Sequence, residues 1–309
     1  MPKCEICRHK KTKFFHKINN FSYYFCRNCG TLFLNPKPSQ KFLENYYAKK
    51  FAYSAGEENE MLIRQRAISI LTKLKHLNPK GSSLLDIGSG YSFFIDEAKK
   101  LGFEVKGIEP SKELFRNSVN YLTEFVNHET FEEFYLKNRN KKFDFITLIH
   151  VIEHVSNPID TINKAIKLLK PRGILYIETP NLDSHLFYSE KYNYTFLTPP
   201  DHLWLFSQTS LKKILTKIPD IQIEKINTYS YPEHLMGIIK RKFQLSKSKF
   251  QTNSSIQRTN STNLKNLNLK FDSKFIKYIV LDKFLAPLLT PLLNIHTKGS
   301  ILELYIRKK

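Results

Sequence analysis

The stretch LLDIGSGYS, Leu84 to Ser92, constrains the fold of this 309-residue chain more than any other. A short apolar run bounded by turn residues reads as a buried strand, and two glycines one residue apart let the backbone leave it through a sharp, bare turn. The plan then repeats. FFIDEAKKLG is a helix pattern stopped by Gly102, EVKGIEP a second strand, and SKELFRNSVNYL a helix opened by Ser111 with Leu114 and Phe115 inward. TEFVN reads as a third strand, ETFEEFYLKN as a third helix and FDFITLIHV as a fourth strand. PIDTINKAIKLLKPRG is a helix with Ile162, Ala165, Ile166 and Leu169 inward, followed by GILYIETP as a fifth strand. Strands alternating with helices predict an α/β fold, a parallel sheet covered on both faces.

The flanks differ in character. All four cysteines, Cys4, Cys7, Cys26 and Cys29, lie in the first tenth of the chain, where a basic and aromatic hairpin pattern separates two C-x-x-C pairs. That spacing is the two-knuckle pattern of a tetrahedral zinc site, and four thiolates leave no open coordination position, so the metal is expected to be structural. His9 and His16 are surplus to the set. ENEMLIRQRAISILTKLKHL is a helix with Leu62, Ile63, Ala67, Ile70, Leu71 and Leu74 on one face. The expected organisation is a zinc ribbon over 1–40, a helical lid or linker over 41–80 and the main domain over 81–309. Within the main domain, the Lys-, Asn- and Ser-rich segment 241–274 reads as a mobile basic insertion, and 275–309 as a C-terminal helix and strand.

Charge bears on partners. Forty-nine Lys and Arg against 28 Asp and Glu give a net charge of +21, enough to attract nucleic acid, anionic lipid or a phosphorylated substrate, but the lysines are spread along the chain. No run is long and apolar enough to span a bilayer, and the start lacks the pattern of a secretory signal, so a cytoplasmic protein is expected.

A ligand of an open α/β sheet binds beyond the carboxyl ends of its strands, which is where the two-glycine turn lies. A dinucleotide fingerprint would need a third glycine where this chain has Phe93, and Asp86 would receive a pyrophosphate poorly. Asp86 suits a positive centre. Nineteen residues after Gly90, Glu109 ends the second strand, placed to accept hydrogen bonds from both ribose hydroxyls. Asp86, Gly88, Gly90 and Glu109 together point to S-adenosylmethionine (SAM), with its sulfonium, amino-acid end and ribose.

The segments LLDIGSGYSFF, GIEPS, FDFITLIHVIEHVSNP and LLKPRGILYIETPN resemble, in order and spacing, the successive motifs of class I SAM-dependent methyltransferases over about residues 80–230. The resemblance implies a Rossmann-like seven-stranded methyltransferase sheet with helices on both faces. CRNCGTLFLNPKPS with its upstream partner pair resembles a subgroup with an N-terminal zinc ribbon, associated with tailoring of sugars, polysaccharides or secondary metabolites. It implies SAM as cofactor, a structural Zn2+, and a small-molecule acceptor such as a nucleotide-linked sugar or glycan precursor. The alternatives are an RNA or ribosome methyltransferase that grips nucleic acid with its ribbon and basic insertion, and a non-catalytic SAM-binding module.

HVIEHVSNP follows the fourth strand, where acceptor and sulfonium would meet. If the chain is helical from Val151, then His150, Glu153 and His154 share one face. His154 is the expected base, with Glu153 orienting it or holding the acceptor; His150 is grouped with the cofactor-binding residues. Related ubiquinone-biosynthesis O-methyltransferases have a comparable Glu-x-x-Glu-His, read there as divalent metal ligands, and this chain has His150 at the first position. TPPDHLWLFS resembles the family's segment that closes over the acceptor, making His202 the second candidate base and Trp204 a pocket wall. Its TPPD resembles a motif of amino-methylating enzymes but stands after strand five, not strand four.

Overall fold

The computed structural model describes residues 1–39, 41–43, 46, 60–118, 122–235, 238 and 286–309. The expected insertion over 241–274 lies outside these residues, as does the part of the expected C-terminal helix before residue 286, beyond which Ala286–Leu289 is helical. Most of the segment between the ribbon and Glu60 lies outside them too.

Seven strands form the main sheet: β4 (Ser83–Ile87), β5 (Glu104–Ile108), β6 (Val126–Asn127), β7 (Phe143–Ile149), β8 (Leu169–Pro180), β10 (Ile221–Tyr229) and β11 (Ile301–Lys308). Their order is β10-β11-β8-β7-β4-β5-β6, and β6, β5, β4, β7 and β8 run parallel to one another. The chain leaves β4 towards β5 and β6 on one side and returns to β7 and β8 on the other. The carboxyl ends of β4 and β7 therefore flank the point where strand order reverses, the place at which open α/β sheets form their ligand crevice. IQIEKINTYS, with its alternating pattern, supplies the edge strand β10. From Leu84 to Ile87 β4 is buried on both faces, so Leu84, Leu85 and Ile87 are apolar at both parities and Asp86 is the exception.

Helix α1 (Glu60–Leu77) packs Ala67, Ile70, Leu71 and Leu74 against Leu84, Ile95, Phe103, Phe145, Tyr176 and Tyr305. Its first turn departs from the expected apolar face, since Leu62 and Ile63 are exposed. Ion pairs anchor that end, with Arg64 bridging Asp96 and Glu97 on α2 (Phe93–Lys100). The remaining crossover helices are α3 (Lys112–Arg116), capped by Ser111, α4 (Phe131–Lys137), capped by Thr130, and α5 (Pro158–Leu168), capped by Asn157. No described helix is long and apolar enough to cross a membrane.

A second sheet contains the cysteines. Strands β1 (Thr12–Ile18), β2 (Phe21–Cys26) and β3 (Leu32–Leu34) form an antiparallel meander, and β3 pairs with β9 (Trp204–Leu205) from the segment after β8. Residues 1–182, 196–227 and 302–309 make one compact unit, which holds the cysteines, the crevice and β9. Residues 183–195 and the described residues of 228–301 make another, in which His185–Glu190 is helical.

Candidate active site

The turn after β4 is held from below and left bare above. The amides of Gly88 and Ser89 donate to the carbonyl of Ile108, at 2.8 and 3.0 Å. Glu109 is buried at the tip of β5, and its carboxylate accepts from the amides of Gly90 (2.8 Å) and Ser111 (2.7 Å). Gly88 and Gly90 both have positive φ, but for different reasons. A Cβ on Gly88 would stand 2.7 Å from Val151, so that glycine lets the β4 and β7 loops touch; a Cβ on Gly90 would meet nothing within 4 Å. The hydroxyls of Ser89 and Ser92 in the same turn are buried without a hydrogen-bond partner, that of Ser89 lying 3.2 Å from where a Cβ on Gly107 would stand. Space over a bare backbone beside a carboxylate fits a polar ligand with hydroxyls.

Asp86 lies beneath the turn. It accepts a 2.6 Å hydrogen bond from Thr147 on β7. Burial pushes its carboxyl up to about 7 against the pull of Thr147, and the nearby Glu109 charge adds to the rise. Burial likewise raises Glu109 above the usual carboxylate range, against the two amides and His128. Two carboxyl groups that resist ionisation side by side favour a cationic ligand.

Beyond β7 the expected helix is absent. His150 has φ +53°, residues 151–157 form turns, and helix α5 begins only at Pro158. Asn157 caps that helix by accepting from the Asp160 amide, with Pro158 preset for the first turn. The turn brings His150 and Glu153 together as a helix face would have done. His150 donates through Nδ1 to Glu153 (3.1 Å) and through Nε2 towards Glu178 (3.4 Å). Burial opposes its charge, but the two carboxylates outweigh burial and raise it to about 10, so His150 is an imidazolium. Glu153 is fully buried; its second oxygen accepts from Thr179 (3.0 Å). Burial pushes it up, while His150, His154 and His202 hold it below its ordinary value.

His154 and His202 face each other with ring centroids 4.8 Å apart. His154 Nδ1 lies 2.9 Å from the carbonyl and 3.1 Å from the carboxylate of Asp201. His202 Nδ1 lies 2.7 Å from the Phe196 carbonyl. Carbonyl and carboxylate oxygens only accept, so both Nδ1 atoms carry the proton. Burial works against charge on His154, yet Asp201 and Glu153 raise it. Burial, with the His154 charge, lowers His202 to about 4. The two facing rings are thus shifted in opposite directions, His154 towards the charged form and His202 towards the neutral one. Nitrogens of both rings and an oxygen of Glu153 lie within 4.8 Å of one another, a donor set for a cation that includes His202 and omits His150.

The four cysteines converge on one point. Cys4 and Cys29 sulfurs are 3.6 Å apart and those of Cys7 and Cys26 3.5 Å, too far for disulfides. Each C-x-x-C turn is followed by a left-handed residue, Arg8 or Gly30. Sharing a proton with Cys4 lowers Cys29 to about 5 despite burial, and Cys4 rises correspondingly. Soft, closely packed sulfurs suit tetrahedral zinc.

A family model described as a methyltransferase domain matches residues 61–218, just over half of the chain. The chain belongs to the methyltransferase-domain family. A ubiquinone biosynthesis O-methyltransferase of Glaesserella parasuis is 31% identical over 122 residues, covering 35% of this chain and 52% of the relative. One from Coxiella burnetii is 30% identical over 153 residues, covering 47% and 65%. The chain thus spans 52% and 65% of the length of these two curated relatives. A SAM-dependent methyltransferase from Archaeoglobus fulgidus shares the fold, with a TM-score of 0.50, 19% identity and coverage of 88% of this chain and 100% of that one.

Some side chains around the methyltransferase-domain crevice escaped the sequence reading. Glu178 is buried between His150 and Arg66, whose Nη2 lies 2.9 Å from it and 2.5 Å from Glu303. Although burial raises it, His150, Arg66 and Tyr176 hold Glu178 down to about 2. Its signal was an acid in the otherwise apolar GILYIETP. Asp201 stood beside His202 in the sequence, but nothing local linked it to His154.

Proposed function

We propose that the protein transfers the methyl group of SAM to an oxygen of a small molecule. The open space over Gly90, beside the Glu109 carboxylate that its amide meets, is the observation that carries this reading. Glu109 keeps lone pairs beyond those used by the two amides and would hold the ribose; Asp86 would sense the ligand's positive charge from below. SAM, when bound, supplies an electrophilic methyl on a sulfonium, so the protein's task is to orient the acceptor and take its proton.

The geometry favours His202 over His154 for the proton. His202 is neutral, its Nδ1–H is committed to Phe196, and Nε2 keeps a lone pair. His154, shifted towards its charged form by Asp201 and Glu153, would stabilise the anion developing on the acceptor oxygen. His150, locked between two carboxylates, would shape the crevice as a fixed charge. A second reading keeps the same residues: Glu153, His154 and His202 would bind a divalent cation that polarises the acceptor. It is favoured by both histidines donating Nδ1–H to backbone carbonyls, the way metal-bound histidines are usually oriented. The four cysteines would hold a structural Zn2+.

The oxygen acceptor rests on the names of the two relatives above; neither names a sugar. Calorimetry with S-adenosylhomocysteine, followed by product analysis with phenols, catechols, nucleotide sugars and RNA, tests the proposal. Expected are binding weakened about tenfold or more by Glu109→Ala, equivalent to about 1.4 kcal/mol, and methylation of hydroxyl acceptors abolished by His202→Ala. No binding by the unaltered protein, or turnover on RNA alone, would overturn it.

A further inference from the structure

The segment bearing His202 is held from two sides. Its carbonyls face the cysteine unit: Tyr23 Oη donates to the His202 carbonyl (2.7 Å), and the Leu34 amide to that of Leu203 (2.9 Å). Its amides face the β7 turn, with Leu203 and Trp204 both donating to the Glu153 carbonyl, at 2.9 and 3.1 Å. Tyr23 is completely buried in β2, three residues before Cys26, with Asp201 close enough to act on its hydroxyl. Ser207, three residues beyond Trp204, donates to the Cys29 carbonyl (3.3 Å), and a Cβ on Gly30 would stand 2.8 Å from that hydroxyl. Lys37 spans the same seam, 4.1 Å over the Trp204 ring and 3.0 Å from the Ser156 carbonyl. The cysteine turn, β2, β3 and the His202 backbone are thus joined by hydrogen bonds.

We propose that the four-cysteine unit is a wall of the acceptor site, and that Tyr23 is the positioning residue through which metal occupancy of Cys4, Cys7, Cys26 and Cys29 fixes His202 opposite His154. This rests on the readings of the quartet as a metal site and of His202 as an acceptor-side group. Without the metal, the two cysteine turns part, β2 and β3 lose their anchor, and the His202 carbonyl loses its donor. The zinc ribbon is then part of the catalytic apparatus although no cysteine meets the acceptor.

Trp204 is the only tryptophan in the chain and is fully buried beside His202, so its fluorescence reports this seam. Metal-free protein is titrated with Cd2+ while the thiolate-to-cadmium absorption band and Trp204 emission are followed together; Tyr23→Phe is measured alongside, with histidine-ring NMR. The expected result is a blue shift of Trp204 in step with the thiolate band, complete at one equivalent. Tyr23→Phe should keep its one metal and its S-adenosylhomocysteine affinity, shift the His202 ring signal but not those of His9 and His16, and raise acrylamide quenching of Trp204 about threefold through local opening. A Trp204 response that ignores the thiolate band, or a Tyr23→Phe protein with unchanged His202 and Trp204 signals, overturns the proposal. Failure of the unaltered protein to bind S-adenosylhomocysteine would instead count against the cofactor reading, because the Trp204 and His202 signals do not depend on it.

Discussion

Asp86 shows how much one buried carboxyl can decide. Burial raises it to about 7 although Thr147 pulls the other way, and the Glu109 charge adds to the rise. A cation in the crevice stabilises the ionised form, so binding lowers this pKa and releases a proton. Affinity for SAM should therefore increase as pH rises from 6 towards 7 and level off above it, with calorimetry in buffers of different ionisation enthalpy detecting the released proton. Asp86→Asn should flatten that dependence; a wild-type affinity that does not change with pH would rule Asp86 out as the sensor. Stability of the free protein has the opposite sign. Between pH about 4 and 7 the folded state binds more protons at Asp86 than the unfolded state, so its contribution to stability falls as pH rises. At this scale the sequence marked Asp86, Gly90 and Glu109 by position. It could not reveal that His150 is clasped by Glu178, because the two lie on neighbouring strands 28 residues apart.

Among elements, Asp144 ties together the starts of three strands. Its Oδ2 accepts from the amides of Ser82 (3.1 Å) and Ser83 (3.0 Å), the Ser83 hydroxyl (2.7 Å) and Lys170 (2.8 Å), joining β4, β7 and β8 at the end opposite the crevice. Burial pushes its pKa up, but Lys170, Ser83 and Ser82 bring it down to about 2. Its contribution is present above the unfolded value near 4 and lost as pH falls through about 2. Asp144→Asn should cost about 1–3 kcal/mol at pH 7, and the difference from wild type in denaturant melts should shrink from pH 4 to pH 2. An equal difference at both pH values would place the effect in packing. The strands and crossover helices of the alternating region were legible because periodicity and caps agree locally. The 151–157 junction was not: its amphipathic spacing looked helical, but the Glu153 carbonyl is taken by Leu203 and Trp204, from a distant segment.

For the whole molecule, the cysteine sheet and the crevice belong to one compact unit, joined through β3 and β9. Removing the metal proposed for the cysteine quartet should therefore lower the Trp204-monitored melting midpoint and the temperature at which S-adenosylhomocysteine binding is lost by a similar amount, about 5 °C or more. A shift of the former alone would make the cysteine sheet an independent module.

The sequence alone determined the alternating α/β core, the bare turn with its two acids, and the cysteine quartet, because each is written in short-range spacing that only one local geometry satisfies. Tertiary structure alone decided that β11 enters the sheet between β8 and β10, that β9 completes the cysteine sheet, and that His154 and His202 meet with opposite charge preference. Those outcomes depend on burial and on hydrogen bonds between segments far apart in the chain, and no local pattern encodes which carbonyl or carboxylate a buried ring will find.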